Sequence, residues 1–233
     1  LSANGPARVV QASSTYALGR GVSAVDGRLY DSNSGQAQFV GNLSDCMALP
    51  GRHNHQNAAA AYAACRALGL DPQTIMDGIR TFPGLAHRLE MVGEIDGVKF
   101  VNDSKATNAE AAEQALKAYK KAYWIAGGVS KAEGIQPLAP LFPNITKAYL
   151  IGDSEETFAA TLKGKVALQT CGTLENAVQA AFRDAKVVGD ENPVILLSPA
   201  CASFDQFRDF EHRGDVFRSI VQSMMPQELK ELA

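Results

Sequence analysis

Asn102-Asp103-Ser104-Lys105-Ala106-Thr107-Asn108 separates a strand-like apolar run from a helical pattern, and that change of period decides the fold. Before it, Val98, Phe100 and Val101 supply a short strand; after it, Ala111, Ala112, Ala115, Leu116 and Tyr119 recur at helical spacing. Thr107 and Glu110 fit a capping box, so the spacing predicts a helix start at Thr107, with free N–H groups and a positive dipole end facing the turn. Such an end attracts anions. Lys105 adds a full charge, Asp103 accepts two hydroxyl hydrogen bonds, and Thr107 offers a donor if its hydroxyl is not spent on the cap. The same residues also make an ordinary strand-to-helix loop with a good cap, and both readings stand at this point.

Downstream, strands and helices alternate. Strands are expected near Leu89 to Ile95, Val98 to Val101, Ala122 to Ala126, Lys147 to Ile151, Val166 to Gln169 and Pro193 to Leu197. Capping signals stand between them: Asp153 with Glu156, Thr173, and Ser203 with Gln206. This alternation predicts an α/β domain with a doubly wound, mostly parallel, Rossmann-like sheet, which takes ligands outside the carboxyl ends of its strands. The rule gathers Asp103, Ser104, Lys105, Thr107, Gly127, Gly128, Lys131, Asp153, Ser198 and Ser203 on one rim. Gly127-Gly128 lets backbone come close to a ligand while Lys131 brings a charge. No phosphate loop of the G-x-x-x-x-G-K-[ST] type occurs in these residues. In Ser198-Pro199-Ala200-Cys201-Ala202-Ser203-Phe204-Asp205-Gln206-Phe207, small residues permit close approach and Ser203 can hold a carboxylate. Cys201 as a nucleophile lacks a His within the motif, and Phe207, Phe210 and Phe217 fit a core.

Upstream, the turn chemistry of Pro83-Gly84-Leu85 marks a domain boundary, dividing the chain into 1–84 and 85–233. Residues 1–50 hold short β-type runs: Arg8 to Ala12, Val22 to Val25, Arg28 to Tyr30 and Gln36 to Val40, with Asp26-Gly27 as a hairpin signal. These strands are too few to bury both faces of a sheet and read as the edge of something larger, or as a small β lid. Gly51 to Asn57 then leads into a helix with Ala58, Ala61, Tyr62, Cys65 and Leu68 on one face, closed by Gly69. Asp71 caps a second helix whose stripe is Ile75, Met76, Ile79 and Phe82. His53 and His55 lack a third metal partner. Asn54 and Asn57 offer donors and acceptors that suit a nucleobase edge or a helix cap. Arg88 reads as a solvated charge before a strand.

Composition restricts the partners. The 233 residues are 46% hydrophobic and 20% charged, with a net charge of -3, which gives no basic stripe for nucleic acid. No apolar run approaches the roughly 20 residues of a membrane span, and Leu1-Ser2-Ala3-Asn4 has no leader pattern, so a cytoplasmic setting is expected. The four cysteines lack paired spacing and read as small buried hydrophobes. Without an initiator Met, and opening in mid-pattern, the chain reads as part of a longer one.

Asn102 to Asn108 and Ser198 to Phe207 are similar to signatures of the Mur ligases of peptidoglycan synthesis, specifically the D-glutamate-adding members, whose sister enzymes carry His or Tyr-Asn where Lys105 stands here. Gly51 to Asn57 resembles the family's Gly-x-His-Asn-x-x-Asn motif, and Gly84 to Arg88 its Gly-x-x-His-Arg motif. The resemblance implies that 1–84 ends a central ATP-binding domain and 85–233 is the family's C-terminal domain. It implies ATP-dependent addition of D-glutamate to UDP-N-acetylmuramoyl-L-alanine through an acyl phosphate. Lys105 would be catalytic; Thr107, Lys131, Ser203, Phe204 and Phe210 would hold the amino acid; Asn54, Asn57, Arg88 and Asp103 would hold ATP. The family's Mg2+ ligands have no counterpart here, no metal ligand is assigned, a monomer is expected, and the chain alone should not catalyse. A non-enzymatic nucleotide-binding module and another ATP-dependent amide ligase, such as a folylpolyglutamate synthetase, are the alternatives.

Overall fold

A computed structural model describes residues 9–46, 48–188 and 192–226, with the Val188 side chain left out. Arg8 and the Leu1 to Asn4 opening lie outside them. The chain divides into two compact units, Leu1–Pro83 and Gly84–Ala233.

In the first unit, β1 (Ala12–Ser13), β2 (Val22–Val25), β3 (Arg28–Asp31) and β4 (Gln38–Asn42) form one sheet in chain order. β1 runs parallel to β2, and the other pairs are antiparallel. Asp26 and Gly27 both take positive φ, 50° and 73°, as a tight hairpin turn requires. Helices α1 (Arg52–Ala67) and α2 (Pro72–Thr81) share an apolar core with the sheet, built on Val22, Leu29, Tyr62, Ile75 and Met76. Asp71 caps α2 as its sequence predicts, accepting from the N–H groups of Gln73 and Thr74. Two expectations need correction. α1 begins at Arg52, so Asn54 and Asn57 stand within its first two turns rather than before it. Its buried face is Ala58, Ala59, Tyr62 and Ala63, whereas Leu68 is 80% exposed: Leu68 is the C-cap, and Gly69 and Leu70 close the helix by bonds back to Arg66 and Cys65.

The second unit contains a six-stranded sheet in the order β5-β6-β10-β7-β8-β9. Its strands are β5 (Glu90–Ile95), β6 (Val98–Asn102), β7 (Ala122–Gly127), β8 (Ile145–Ile151), β9 (Ala167–Gly172) and β10 (Val194–Leu197). Only β5 is antiparallel to its neighbour. Alternate side chains feed two cores. Val101, Trp124, Leu150 and Leu196 meet α3 (Ala109–Ala118), the 3-10 segment Gln136–Asn144 and α4 (Glu155–Leu162) on one face. Phe100, Ile125, Tyr149 and Ile195 meet α5 (Leu174–Val188) and α6 (Phe210–Met224) on the other. The sheet is therefore doubly wound. β10 lies between β6 and β7, yet its outgoing helix α6 packs on the face opposite to α3, which leaves β6. By the switch-point rule that reversal directs attention to the carboxyl ends of β6, β10 and β7.

Three capping expectations are overturned. Asn108, not Thr107, caps α3, its side chain accepting from the Ala111 N–H, so the Thr107 hydroxyl is not spent on the cap. Ser203 and Gln206 start no helix: Gln206 Nε2 donates to the Gly172 carbonyl, and α6 begins only at Phe210, capped by Asp209. Asp153 is not a cap, because Ser154 occupies that position and the Asp153 N–H donates to Asp205. Thr173 does act at the start of α5, its hydroxyl accepting from the Asn176 N–H at 3.3 Å.

Candidate functional site

The rim turns are tied to one another by backbone. Asp103 N–H donates to the Leu197 carbonyl at 2.7 Å, Gly127 N–H to Pro199 at 2.9 Å, and Val129 and Ala202 exchange two bonds. Ser154 N–H donates to Gly128 at 3.1 Å. The paired glycines follow from this closeness: a Cβ at Gly127 would lie 1.9 Å from the Ile151 carbonyl oxygen, and one at Gly128 2.3 Å from that of Ala202. Gly127 and Gly128, expected to make room for a ligand, make room for neighbouring backbone.

Asp103 is 8% exposed at the end of β6. Ser198 Oγ donates to one carboxylate oxygen at 2.8 Å and the Leu89 N–H to the other at 3.3 Å. Burial nevertheless dominates and pushes its carboxyl up to about 7, against these bonds and the opposing pull of Arg88. Arg88 is exposed between His87 and Leu89, both at positive φ (62° and 46°), a costly turn for side-chain-bearing residues. Bonds hold it: His87 N–H to the Glu90 carboxylate, Lys105 N–H to the His87 carbonyl, Leu89 N–H to Asp103. The entry turn and the Asn102 to Asn108 turn thus fix each other.

Lys105 lays its ammonium over the Phe210 ring, 3.7 Å from the centroid. Thr107 is half-buried, Lys131 exposed, Ser203 buried and Phe204 73% exposed. Among the described residues, Lys105, Lys131 and Arg213 have no carboxylate partner, while nearby Glu90 and Asp215 are both paired with Arg218. Arg213 is buried and has Asp205 as a nearby counter-charge, whereas Lys105 and Lys131, on the turns after β6 and β7, favour an anionic ligand. Asn54 and Asn57 belong to the first unit. Their amides donate to the Pro50 carbonyl (2.9 Å) and to Asn54 Oδ1 (3.5 Å) respectively. Among the described residues no cluster of three or more His, Cys, Asp or Glu fit to hold a metal forms. His53 and His55, two residues apart on α1, do not face each other. The Cys201 thiol is pushed up to about 11, with burial as the main cause, which leaves it a thiol at neutral pH.

Sequence reasoning missed Arg213. It is 1% exposed, donates from Nε to Ser104 Oγ at 2.9 Å and from Nη2 to the carbonyls of Ser104 (2.8 Å) and Cys201 (3.1 Å), and leaves Nη1 without a hydrogen-bond partner among the described residues. Burial lowers its pKa to about 10, so it remains charged at neutral pH. The setting of Asn102 was missed too: Asn102 Nδ2 lies 3.1 Å from His87 Nδ1 and 3.2 Å from the Gly214 carbonyl. One signal was available. Gly214 inside a helix costs about 1 kcal/mol against Ala, which points to a close approach; a Cβ there would lie 2.2 Å from His87 Nδ1.

The second unit is thus a doubly wound α/β domain with a buried carboxyl, Asp103, at the end of β6. Residues 87–201 match the family described as Mur ligase, glutamate ligase domain. The chain is 58% identical over 208 residues to the UDP-N-acetylmuramoylalanine–D-glutamate ligase of Caulobacter vibrioides, covering 89% of this chain and 44% of the relative. It is 55% identical over 222 residues to the enzyme of that name from Rhodospirillum rubrum, covering 93% and 46%. The chain belongs to the Mur ligase family. It spans about half the length of the curated relatives it matches. In fold it is similar to the UDP-N-acetylmuramate-alanine ligase of Thermotoga maritima (TM-score 0.54, 17% identity, 88% of this chain and 45% of that one). It is equally similar in fold to the folylpolyglutamate synthase of Mycobacterium tuberculosis (TM-score 0.54, 17% identity, 84% and 46%).

Proposed function

We propose that this chain supplies the amino-acid-adding part of an ATP-dependent amide ligase, which joins D-glutamate to UDP-N-acetylmuramoyl-L-alanine through an acyl phosphate in peptidoglycan synthesis. The observation that supports the reading is a pair of cations without a carboxylate partner among the described residues, Lys105 and Lys131, on the turns that follow β6 and β7, with the buried Asp103 on the same turn as Lys105. Relatives named as D-glutamate ligases support the choice of amino acid. Folylpolyglutamate synthase shares the fold alone.

In this reading residues 1–84 end the central ATP-binding domain and 85–233 form the C-terminal domain. Lys105 offsets the charge that develops when the amine attacks the acyl phosphate. Lys131, Thr107, Ser203 and the chain at Phe204 and Phe210 bind the carboxylates of D-glutamate, as fixed donors and a point charge do. Asp103 accepts the ribose hydroxyls of ATP, Arg88 lies beside base and ribose, and Asn54 and Asn57 face the base, which requires Asn57 to give up its weak bond to Asn54. Mg2+ accompanies ATP on ligands outside these residues. A monomer working in the cytoplasm, with roles in cell shape and division, completes the reading.

The test uses the complete ligase that contains this chain. ADP release should depend on D-glutamate and not on L-glutamate, and Lys131→Ala should raise the D-glutamate KM about ten- to hundredfold, as loss of a charged hydrogen bond of roughly 1.5 to 3 kcal/mol predicts, with little change for ATP. ADP release indifferent to D-glutamate, or glutamate added to a folate instead, would refute the reading.

A further inference from the structure

Phe210 and Arg213 stand three residues apart at the start of α6 and therefore share one face of the helix. That face meets the dipeptide Ser104-Lys105, with His87 and the Cys201 carbonyl beside it. The Phe210 carbonyl accepts the Ser104 hydroxyl at 2.8 Å, while Arg213 Nε donates to the same oxygen at 2.9 Å and Nη2 to the Ser104 carbonyl at 2.8 Å. Ser104 is fully buried, and both its side chain and its carbonyl are held by one helical turn. Its neighbour Lys105 then lies with its ammonium 3.7 Å from the centre of the Phe210 ring. The ring is itself buttressed edge-on by His87, at 6.1 Å between centroids.

We propose that Phe210 and Arg213 are the positioning residues for Lys105: the ring holds the ammonium on the rim, and the guanidinium fixes the backbone from which it extends. This deepens the reading of Lys105 as the catalytic cation and rests on it. The choice of partner has a chemical consequence. A carboxylate in place of the ring would cancel the charge of Lys105 and compete with any incoming anion, whereas a π face attracts a cation without bearing a net charge. The ammonium is thus restrained, yet keeps its full charge for a phosphate or carboxylate. Arg213 acts through Ser104 and touches no ligand in this scheme, since its guanidinium is buried behind the rim. Arg213 bears the cost of a buried charge with one nitrogen unpartnered among the described residues while it holds the hydroxyl and carbonyl of Ser104, the residue next to Lys105.

The experiment is a spectrum of lysine ε groups in the 233-residue chain labelled with 13C-lysine, with the Lys105 signal identified by its loss in Lys105→Arg. The ring current of Phe210 should move the Lys105 ε protons upfield of the exposed lysines. Phe210→Tyr should keep that shift and Phe210→Leu should abolish it. Arg213→Met, with the ring still present, should reduce it, and Ser104→Ala should do the same if Arg213→Met does not fold. A Lys105 signal coincident with the exposed lysines, or one unaltered by Phe210→Leu, would overturn the ring's role. An unaltered shift in folded Arg213→Met or Ser104→Ala chains would overturn that of the guanidinium. No ligand is present, so failure of the ligase reading itself would show in the ADP assay and not in this spectrum.

Discussion

Asp103 combines a buried carboxyl with a proposed ligand role, and its protonation links stability to binding. Its folded value of about 7 lies above the ordinary 3.8, so the folded chain holds a proton over a range in which the unfolded chain has lost it. The sign follows. Stability from this group is greatest below about pH 4 and falls as pH rises toward 7, by at most about 1.4 kcal/mol per pH unit. Denaturant titrations of Asp103→Asn should lack that decline. The ionised form accepts ribose hydroxyls more strongly than the neutral acid, so nucleotide binding by the ligase should strengthen as pH rises through about 7 in the unaltered protein and lack that Asp103-dependent rise in Asp103→Asn. The loss caused by Asp103→Asn should also shrink with 2′-deoxy-ATP, in which a hydroxyl is already missing; equal losses for both nucleotides would mean that Asp103 serves only the fold. Asp103 and Lys105 were legible because charged residues between a strand and a helix stand out in sequence. Arg213 was not, because nothing local distinguishes a buried arginine from a solvated one on an amphipathic helix.

At the scale of elements, the strands were read closely and the helix starts poorly. β2, in the first unit, coincides with its expected span, and the strands of the second unit shift by a few residues at their ends, but the run expected from Arg8 to Ala12 is overturned: Val9 to Gln11 are not strand, and β1 is only Ala12–Ser13. Apolar runs report burial, which a sheet with covers on both faces enforces along each strand. Caps are a competition among adjacent Ser, Thr, Asp and Asn, and the winner depends on where the chain is heading. Asn108 outcompetes Thr107 beside it, and Asp209 starts α6 six residues after Ser203 because the intervening loop is drawn across the rim to Gly172 and Asp153. Asn108→Ala should therefore cost about 1 kcal/mol of stability, while Thr107→Ala should cost little, as measured by urea unfolding. The reverse order would restore the capping box at Thr107. Gly127→Ala is the severe change at this scale. Its Cβ would meet the Ile151 carbonyl oxygen at 1.9 Å, at a φ of 132° that side chains avoid, and overpacking there should cost about 1 to 3 kcal/mol or more.

For the whole molecule, the turn chemistry at Pro83-Gly84 coincides with the division into two compact units, whereas assignment of each unit to a part of a ligase rests on family resemblance. The chain spans about half the length of its curated relatives, and the 233 residues alone, given ATP, UDP-N-acetylmuramoyl-L-alanine and D-glutamate, are expected to release no ADP. D-glutamate-dependent release from this chain would contradict that expectation. Recognition of D-glutamate by the rim of the second unit, as proposed, can be read from backbone amide spectra of the 233-residue chain titrated with D-glutamate and with L-glutamate in the presence of ATP. Shifts with D-glutamate should concentrate at Lys105 to Thr107, Lys131, Ser203 and Phe204 and be much weaker with L-glutamate; the same response to both enantiomers, or none at these residues, would refute the proposal.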